Sequence, residues 1–217
     1  MNYLDKLNTM LLVKHIEKVV QLDEVAVDTI LKCSKEILIP KGEIINNHQK
    51  PNSYIYFIIS GKARTYYVDR AGKAITWSLH FNENHGGAKN LFIVDHKDLL
   101  TQIHGYLYVE ALTDIKVIRL AQRDLELQSG FTPALRKYLE KLNESAFSAA
   151  YERIFNLLTL SASDRYQHLL RNEPHLLQLF ADKYLASYIG VEPQSLSRIR
   201  KNLRSWPVTS NSLSSAG

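Results

Sequence analysis

The spacing of apolar residues changes twice along the chain, and it predicts a helical part, a strand-rich part and a second helical part. Between residues 3 and 34 the apolar positions recur at helical spacing, which predicts short helices. Between residues 36 and 121, β-branched and aromatic runs alternate with turn signals such as Ser60-Gly61, which predicts strands. The runs are EILIP, YIYFIIS, ARTYYVD, AITWSLHF, YLYVEAL and IKVIRLA. Many short strands at close spacing are typical of a sandwich or a small barrel.

Helical spacing returns after Ala121, and Pro133 stands where a helix would begin, since proline is tolerated at the first helical position. The apolar stripe that follows has the steps of a heptad pattern, and its members are Leu135, Leu139, Leu142, Ala146 and Ala149. Such a stripe either packs on the rest of its own chain or forms the seam of a dimer. We favour the dimer seam, because the stripe is long and its flanking positions are charged. A further helix is expected from about Tyr151 to Leu170.

Residues 181 to 201 carry the pattern of two helices joined by a tight turn. Apolar residues lie at helical spacing up to Ile189, and Gly190 can adopt the left-handed backbone that ends a helix. Pro193 then suits the first position of the next helix, and Leu196 points that helix inward. The polar residues left outside are Gln194, Ser195, Ser197, Arg198, Arg200 and Lys201. This layout predicts a helix-turn-helix, whose second helix lies in the DNA major groove, and an ordinary helical hairpin is the plainer alternative.

The charge of the chain fits a polyanionic partner without proving one. The formal net charge is +5 and the isoelectric point is about 9.1. From Lys183 to Arg204, basic residues outnumber the single acidic residue Glu192. Cys33 is the only cysteine, which excludes a disulfide within the chain and a cysteine-ligated iron–sulfur cluster. The sequence shows no secretion signal and no apolar run of membrane length, so we expect a cytoplasmic protein without a membrane partner.

The segments ASYIG and SLSRIRK resemble the DNA-binding end of the Crp–Fnr superfamily of bacterial transcription regulators. The PKGEII turn and the ISGKA hairpin are similar to the double-stranded β-helix of cyclic-nucleotide-binding and cupin-like domains. The resemblance implies an α+β fold with a jelly-roll sensor barrel over residues 1–131, a dimerisation helix over 132–150 and a helix-turn-helix domain over 151–204. The Ser-rich residues 205–217 are expected to be disordered. The implied partners are double-stranded DNA and a second copy of the chain, with a small-molecule effector and RNA polymerase as further candidates.

The resemblance also assigns roles within the second helix of the pair. Pro193, Gln194 and Arg198 occupy the three family positions nearest the bases. Arg198 can form a bidentate pair with guanine, and Gln194 can pair similarly with adenine. Ser195 and Ser197 either bind phosphate or face the neighbouring helix. Arg200, Lys201 and Arg204 are expected to be phosphate contacts or solvated charges.

The expected barrel lacks the family's phosphate cradle for cyclic AMP. Gly105 falls at the position of the family's phosphate-binding arginine, and Tyr106 falls at the adjoining Ser/Thr position. Ala88 and Lys89 stand where the ribose-binding glutamate would be. We therefore expect no binding of cyclic AMP by the usual route. Weaker candidates to line a different ligand pocket are Arg64, Lys89 and Tyr106, with Tyr66 and Tyr108, unless these residues only fill the barrel or cover its rim.

The sequence predicts neither a metal site nor a catalytic site. His80, His85, His96 and His104 are close in sequence, but their spacings match no metal motif. No nucleophile motif, phosphate-binding loop or dinucleotide fingerprint is present. We therefore predict a protein that is not an enzyme and needs no cofactor. The alternatives are a cupin-like metalloenzyme and a degenerate sensor domain used only for protein contacts.

Overall fold

A computed structural model describes residues 3–46, 54–83, 88–101, 105–121 and 132–205 of the chain. The chain divides into two compact units, Met1–Ile154 and Phe155–Gly217. The predicted tail at 205–217 lies outside the described residues except for Ser205. No helix within the described part of the chain combines the length and apolar character needed to cross a membrane.

Within its described residues, the first unit begins with two helices, continues with eight strands that enclose two short helices, and leads into a long helix. The elements are α1 (Tyr3–Glu17), α2 (Glu24–Cys33), β1 (Ser34–Ile39), β2 (Ile44–Asn46), β3 (Tyr54–Ser60), β4 (Lys62–Val68), β5 (Ala74–Phe81), α3 (Ala88–Leu91), β6 (Phe92–Ile93), α4 (His96–Thr101), β7 (Tyr108–Ala111), β8 (Ile115–Ala121) and α5 (Pro133–Thr159). All six predicted strand runs are confirmed. The sequence did not show β2 and β6, which have three and two residues and are too short to carry a periodic pattern.

The strands form two antiparallel four-stranded sheets, in the orders β1-β8-β3-β6 and β2-β7-β4-β5. The inner faces of the sheets share an apolar core that includes Ile58, Val109 and Val117. The other face of the first sheet packs against α1, α2 and the start of α5, and Phe57 and Ile118 belong to that second core. The α+β class is confirmed, and no closed barrel is formed by the strands that the structure describes.

Gly61 sits at the tight connection between β3 and β4, where its backbone φ is +92°. A Cβ atom at this position would overlap the carbonyl oxygen of Asp114 and lie 2.7 Å from the side chain of Ile115. Glycine is therefore required here both by the left-handed backbone and by the close approach of the strand β8 region.

The helix α5 corrects two expectations. Leu135 and Leu142 are buried in the core of the first unit, and Leu139 packs against that core. The predicted dimer seam is therefore wrong over these residues, and the alternative of a helix packed on its own domain is confirmed for them. The helix also continues past the expected end at 150 to Thr159, because no glycine or proline interrupts residues 150–159.

The second unit holds the last turn of α5 and four helices within the described residues: α6 (Ala162–Asn172), α7 (Leu176–Leu179), α8 (Asp182–Tyr188) and α9 (Pro193–Ser205). The break before α6 falls at Ser161, whose hydroxyl accepts a hydrogen bond from the backbone amide of Asp164 at 3.2 Å. Ser161 also donates to the Asp164 carboxylate at 2.6 Å, so the pair caps the helix. This cap, ten residues beyond the expected boundary near Tyr151, is what separates the two helices.

Candidate nucleic-acid interface

The helices α8 and α9 are joined by the short segment 189–192, as the sequence predicted. Gly190 has a φ of +71° and its amide donates to the carbonyl of Ser187 at 3.2 Å. The amide of Val191 donates to the carbonyl of Ala186 at 2.9 Å. These two bonds form a Schellman motif, which satisfies carbonyl groups at the end of α8. Pro193 is the first residue of α9, so the second helix begins three residues after Gly190.

The inward faces of α8 and α9 are apolar and fully covered. Leu185, Ala186 and Leu196 have no exposed surface. Leu176 of α7 and Phe180 are buried in the same unit. This packing fixes which side of α9 faces solvent.

The outward face of α9 is polar and basic. Its exposed residues include Gln194, Ser197, Arg198 and Lys201, while Ser195 is half-buried. Positions 194, 198 and 201 are spaced by one helical turn each, so they form a continuous stripe. Asn202 is also exposed on this helix, and sequence reasoning missed it although its spacing of four from Arg198 could have shown it.

Arg198 and Arg200 differ sharply in their surroundings. Arg198 is exposed, and its Nη2 donates a long hydrogen bond of 3.4 Å to the hydroxyl of Ser195. Arg200 donates from Nη1 to the carboxylate of Asp182 at 2.5 Å and from Nε to the phenolic oxygen of Tyr166 at 3.0 Å. Arg200 thus ties α9 to α8 and α6. Its predicted role as a phosphate contact stays a prediction, and Arg204 has a side chain outside the described residues.

The residues proposed to line a barrel pocket have other neighbours. Arg64 binds the carboxylate of Glu110 through Nε and Nη2, both at 2.8 Å, and lies 4.3 Å above the ring of Tyr66. Tyr66 in turn stacks on Tyr108 with ring centres 5.3 Å apart. Burial raises the pKa of Tyr66, and the nearby Glu110 carboxylate adds to this. The ion pair neutralises Arg64, so this cluster offers an aromatic surface rather than a net positive charge.

Tyr106 is 77% exposed, and the Lys97 ammonium lies 4.9 Å from the centre of its ring. Tyr106 contacts Lys97, whereas Arg64 contacts Glu110 and Tyr66, so these contacts do not bring Tyr106 and Arg64 together in one pocket. The side chain of Lys89 lies outside the described residues, as do those of His85 and His104.

Gly105 lies directly beside a carboxylate. A Cβ atom built on Gly105 would be 2.7 Å from Oδ2 and 2.9 Å from Oδ1 of Asp95. A phosphate group brought to this backbone would therefore meet a negative charge, whereas a phosphate cradle presents a guanidinium and amide donors.

Of the four histidines that are close in sequence, the structure describes His80 and His96, and both lie in the interior of the first unit. His80 is buried, and its Nε2 shares a 2.7 Å hydrogen bond with the hydroxyl of Thr65. Burial lowers the pKa of His80 to about 4, with the nearby His96 as a further cause. The pKa of His96 is also lowered by burial, and its Nδ1 bonds Oδ1 of Asn143 in α5 at 2.8 Å. Among the described residues, no group of three or more potential metal ligands is present.

The outer face of α5 carries apolar side chains that its own unit does not cover. Phe147 is 73% exposed, Tyr151 is 64% exposed and Ile154 is 48% exposed. They are separated by steps of four and three residues, so they lie on one side of the helix. On the inner side, Arg153 donates from Nη2 to the carbonyl of Thr76 at 2.6 Å, which anchors the helix to β5.

The fold is shared with solved structures of bacterial transcription regulators. FixK2 from Bradyrhizobium japonicum superposes with a TM-score of 0.66 at 19% identity, covering 79% of this chain and 85% of FixK2. The c-di-GMP responsive global regulator CLP from Xanthomonas campestris gives 0.63 at 14% identity, covering 84% and 92%. A Crp/Fnr-family transcriptional regulator from Thermus thermophilus gives 0.55 at 20% identity, covering 78% and 86%.

No family model and no curated protein matches the sequence. The structural likeness, at identities of 20% or less in these three cases, shows the fold alone. The chain therefore has the fold of the Crp–Fnr regulators, as its motifs predicted.

Proposed function

We propose that this chain is a DNA-binding transcription regulator of the Crp–Fnr type, which acts as a homodimer on a two-fold DNA site. The observation that carries the proposal is the exposed stripe of Gln194, Arg198 and Lys201 on α9, set behind a Schellman turn and a fully apolar inner face. A helix held in this way can enter the major groove with its polar side chains toward the bases.

Five polar residues of α9 have roles in this proposal. Arg198 is the base-reading residue, because it is exposed, lies in the first half of the helix and can bind guanine O6 and N7 together. Gln194 reads a second base, Ser197 binds phosphate, and Ser195 binds phosphate or holds Arg198 through its hydroxyl. Lys201 binds phosphate at the next turn, where an ammonium acts as a point charge.

The dimer of this proposal forms along the outer face of α5. Phe147, Tyr151 and Ile154 offer the apolar stripe that Leu135 and Leu142 cannot offer, because those two leucines already belong to the core. The heptad-like spacing of the exposed stripe suits two parallel helices related by a two-fold axis.

The first unit serves as the sensor in this proposal. Its strand order of β1-β8-β3-β6 and β2-β7-β4-β5 suits an eight-stranded jelly roll. The sensor does not take cyclic AMP through the usual cradle, since Asp95 lies beside Gly105. A small-molecule effector and RNA polymerase are the further partners of a regulator of this kind. In this proposal the DNA-binding domain begins within the last turns of α5, in keeping with a second compact unit that starts at Phe155.

The proposal is tested by selection from a random duplex library with the full chain, followed by binding measurements across a range of salt. We expect enrichment of a palindrome whose half-sites are about 34 Å apart, with affinity that falls as salt rises. The absence of salt-sensitive DNA binding would favour a degenerate sensor used for protein contacts. A stoichiometric metal in the purified protein without DNA affinity would favour the metalloenzyme alternative.

A further inference from the structure

Arg165, in the first turn of α6, binds three backbone carbonyls from two different parts of the second unit. Its Nη1 donates to the carbonyl of Leu160, just past the end of α5, at 2.7 Å. Its Nε donates to the carbonyl of Ile189 at 2.7 Å, and its Nη2 donates to that of Gly190 at 3.4 Å. One guanidinium therefore joins the end of α5 to the turn that precedes α9.

The carbonyls of Ile189 and Gly190 lie beyond the end of α8, where no amide of that helix can reach them. Arg165 supplies their donors. Because the guanidinium is planar and its donors are fixed in a fork, the three acceptors must keep a defined arrangement around it. A lysine ammonium at this position could not serve all three in the same geometry.

A second contact joins the same two parts of the unit. A Cβ atom at Gly190 would lie 3.0 Å from Cδ2 of Leu157, so the last turn of α5 packs directly against the turn. Gly190 is thus fixed by its positive φ and by this close approach. The end of α5 cannot shift without disturbing either the Leu157 contact or the Arg165 hydrogen bonds.

We propose that Arg165 is a positioning residue, which couples the end of the dimer helix α5 to the reading helix α9 without touching DNA. The inference rests on the proposed function, since it says how that function is controlled. Base contacts require side chains held within about 0.5 Å of their productive positions, so a clamp on the turn controls DNA affinity.

The test uses the full-length protein and the duplex enriched by the wild type. Arg165→Lys keeps the charge and removes the fork, and Arg165→Gln removes the charge as well. The matched control is Arg171→Lys on the same helix, since Arg171 is exposed and its Nε donates to the carbonyl of Gln167 on its own helix at 3.3 Å. Affinity is measured between about 50 and 200 mM salt.

We expect both Arg165 substitutions to weaken binding by about tenfold, within the usual range for coupling between sites. The slope of log affinity against log salt should stay at its wild-type value, because no phosphate contact is lost. Arg171→Lys should bind as the wild type does. A direct phosphate contact would give another result: Lys would retain affinity, and Gln would lower the slope by about 1. That result, or wild-type affinity in both variants, would overturn the proposal.

A second variant and a second measurement separate this proposal from the proposed function. Leu157→Ala should also weaken DNA binding at unchanged slope, and it carries the test if the Arg165 variants do not fold. Hydrogen exchange of the Val191 amide, which bonds the carbonyl of Ala186 in the turn, needs no DNA. Exchange should be faster in Arg165→Lys and unchanged in Arg171→Lys. Unchanged exchange in Arg165→Lys would overturn the coupling. Failure of the wild type to bind DNA would overturn the proposed function, and the exchange result would still decide whether Arg165 holds the turn.

Discussion

Arg200 and Asp182 form an ion pair between α9 and α8, with Nη1 and Oδ2 2.5 Å apart. The same guanidinium bonds the phenolic oxygen of Tyr166, which is buried in α6. A basic residue on the predicted reading helix therefore holds that helix against its neighbours. Arg198, two positions away, has no comparable partner among the contacts of the described residues.

This contrast predicts opposite effects for two similar substitutions. Arg200→Ala should lower the free energy of unfolding of the second unit by about 1–2 kcal/mol, because it removes hydrogen bonds to the Asp182 carboxylate and the Tyr166 hydroxyl. Arg198→Ala should change it by less than about 0.5 kcal/mol, as is usual for exposed positions. Denaturant titration with hydrogen exchange at α9 measures both. Equal stability of the two variants would show that the Arg200 contacts contribute nothing in solution.

The outer face of α5 predicts the oligomeric state. Phe147→Lys combined with Tyr151→Lys should give monomers in sedimentation velocity at micromolar concentration, because charges replace the apolar stripe. The melting temperature of the first unit should change little, since both side chains are exposed. Glu152→Lys, an exposed neighbour on the same helix, is the control and should remain dimeric.

The buried leucines of α5 should respond differently. Leu142→Lys places an ammonium in the core and should unfold the first unit rather than yield a folded monomer. A Leu142→Lys variant that is folded and monomeric would instead support the dimer seam predicted from the sequence, in which Leu142 contacts the second copy. A wild-type protein that is already monomeric would contradict both seams.

The elements that the sequence predicted correctly are those dictated by local chemistry. Gly190 and Pro193 marked the turn because only glycine accepts the left-handed backbone freely and proline suits the first helical position. The β-branched and aromatic runs marked six strands, because such side chains favour a pleated, half-buried surface.

The features that the sequence could not supply depend on what each face packs against. The spacing of Leu135 and Leu142 showed that one side of α5 is buried, but not whether its own core or a second copy covers it. The pairing of Arg64 with Glu110, 46 residues apart, likewise exists only in the folded sheet. Charge alone did not distinguish Arg200, which is held by its neighbours, from Arg198, which is exposed.

The Asp95–Gly105 arrangement predicts insensitivity to cyclic AMP. A phosphate next to the Asp95 carboxylate would be repelled, and the arginine that would compensate is absent. Calorimetric titration with cyclic AMP up to millimolar concentration should show only heat of dilution. A low-micromolar dissociation constant would disprove both this expectation and the placement of Gly105 at the arginine position.

The buried imidazole of His80 predicts a loss of stability in acid. In the unfolded chain this group binds a proton near its ordinary pKa of 6.5, whereas in the folded protein its pKa is about 4. Between these values the unfolded state binds more protons, so the free energy of unfolding falls as the pH is lowered from 6.5 toward 4. The full effect of this shift is about 3 kcal/mol.

His80→Gln isolates that contribution, because glutamine can still bond Thr65 and does not titrate. As the pH is lowered from 6.5 toward 4, the wild type should lose unfolding free energy relative to the variant, because only the wild type carries the His80 imidazole. The unfolding free energy of the variant should still fall somewhat with pH, since the pKa of His96 is lowered as well. A pH-independent difference would mean that His80 is protonated normally in the folded protein.

Arg198 and Lys201 predict two separable effects on DNA recognition. Arg198→Ala should cost about 1–3 kcal/mol of binding free energy and relax the preference at one base pair in each half-site, because a bidentate contact to guanine is lost. Lys201→Ala should weaken all sequences alike and reduce the salt slope by about 1, as expected for a phosphate contact. Selection from a random duplex library, repeated for each variant, gives the base preferences, and titrations across salt give the slopes.

Since both side chains are exposed on α9, neither substitution should change the melting temperature appreciably. If Arg198→Ala enriches the wild-type sequence at equal strength, Arg198 does not read a base, and the reading role passes to Gln194 or to the exposed Asn202.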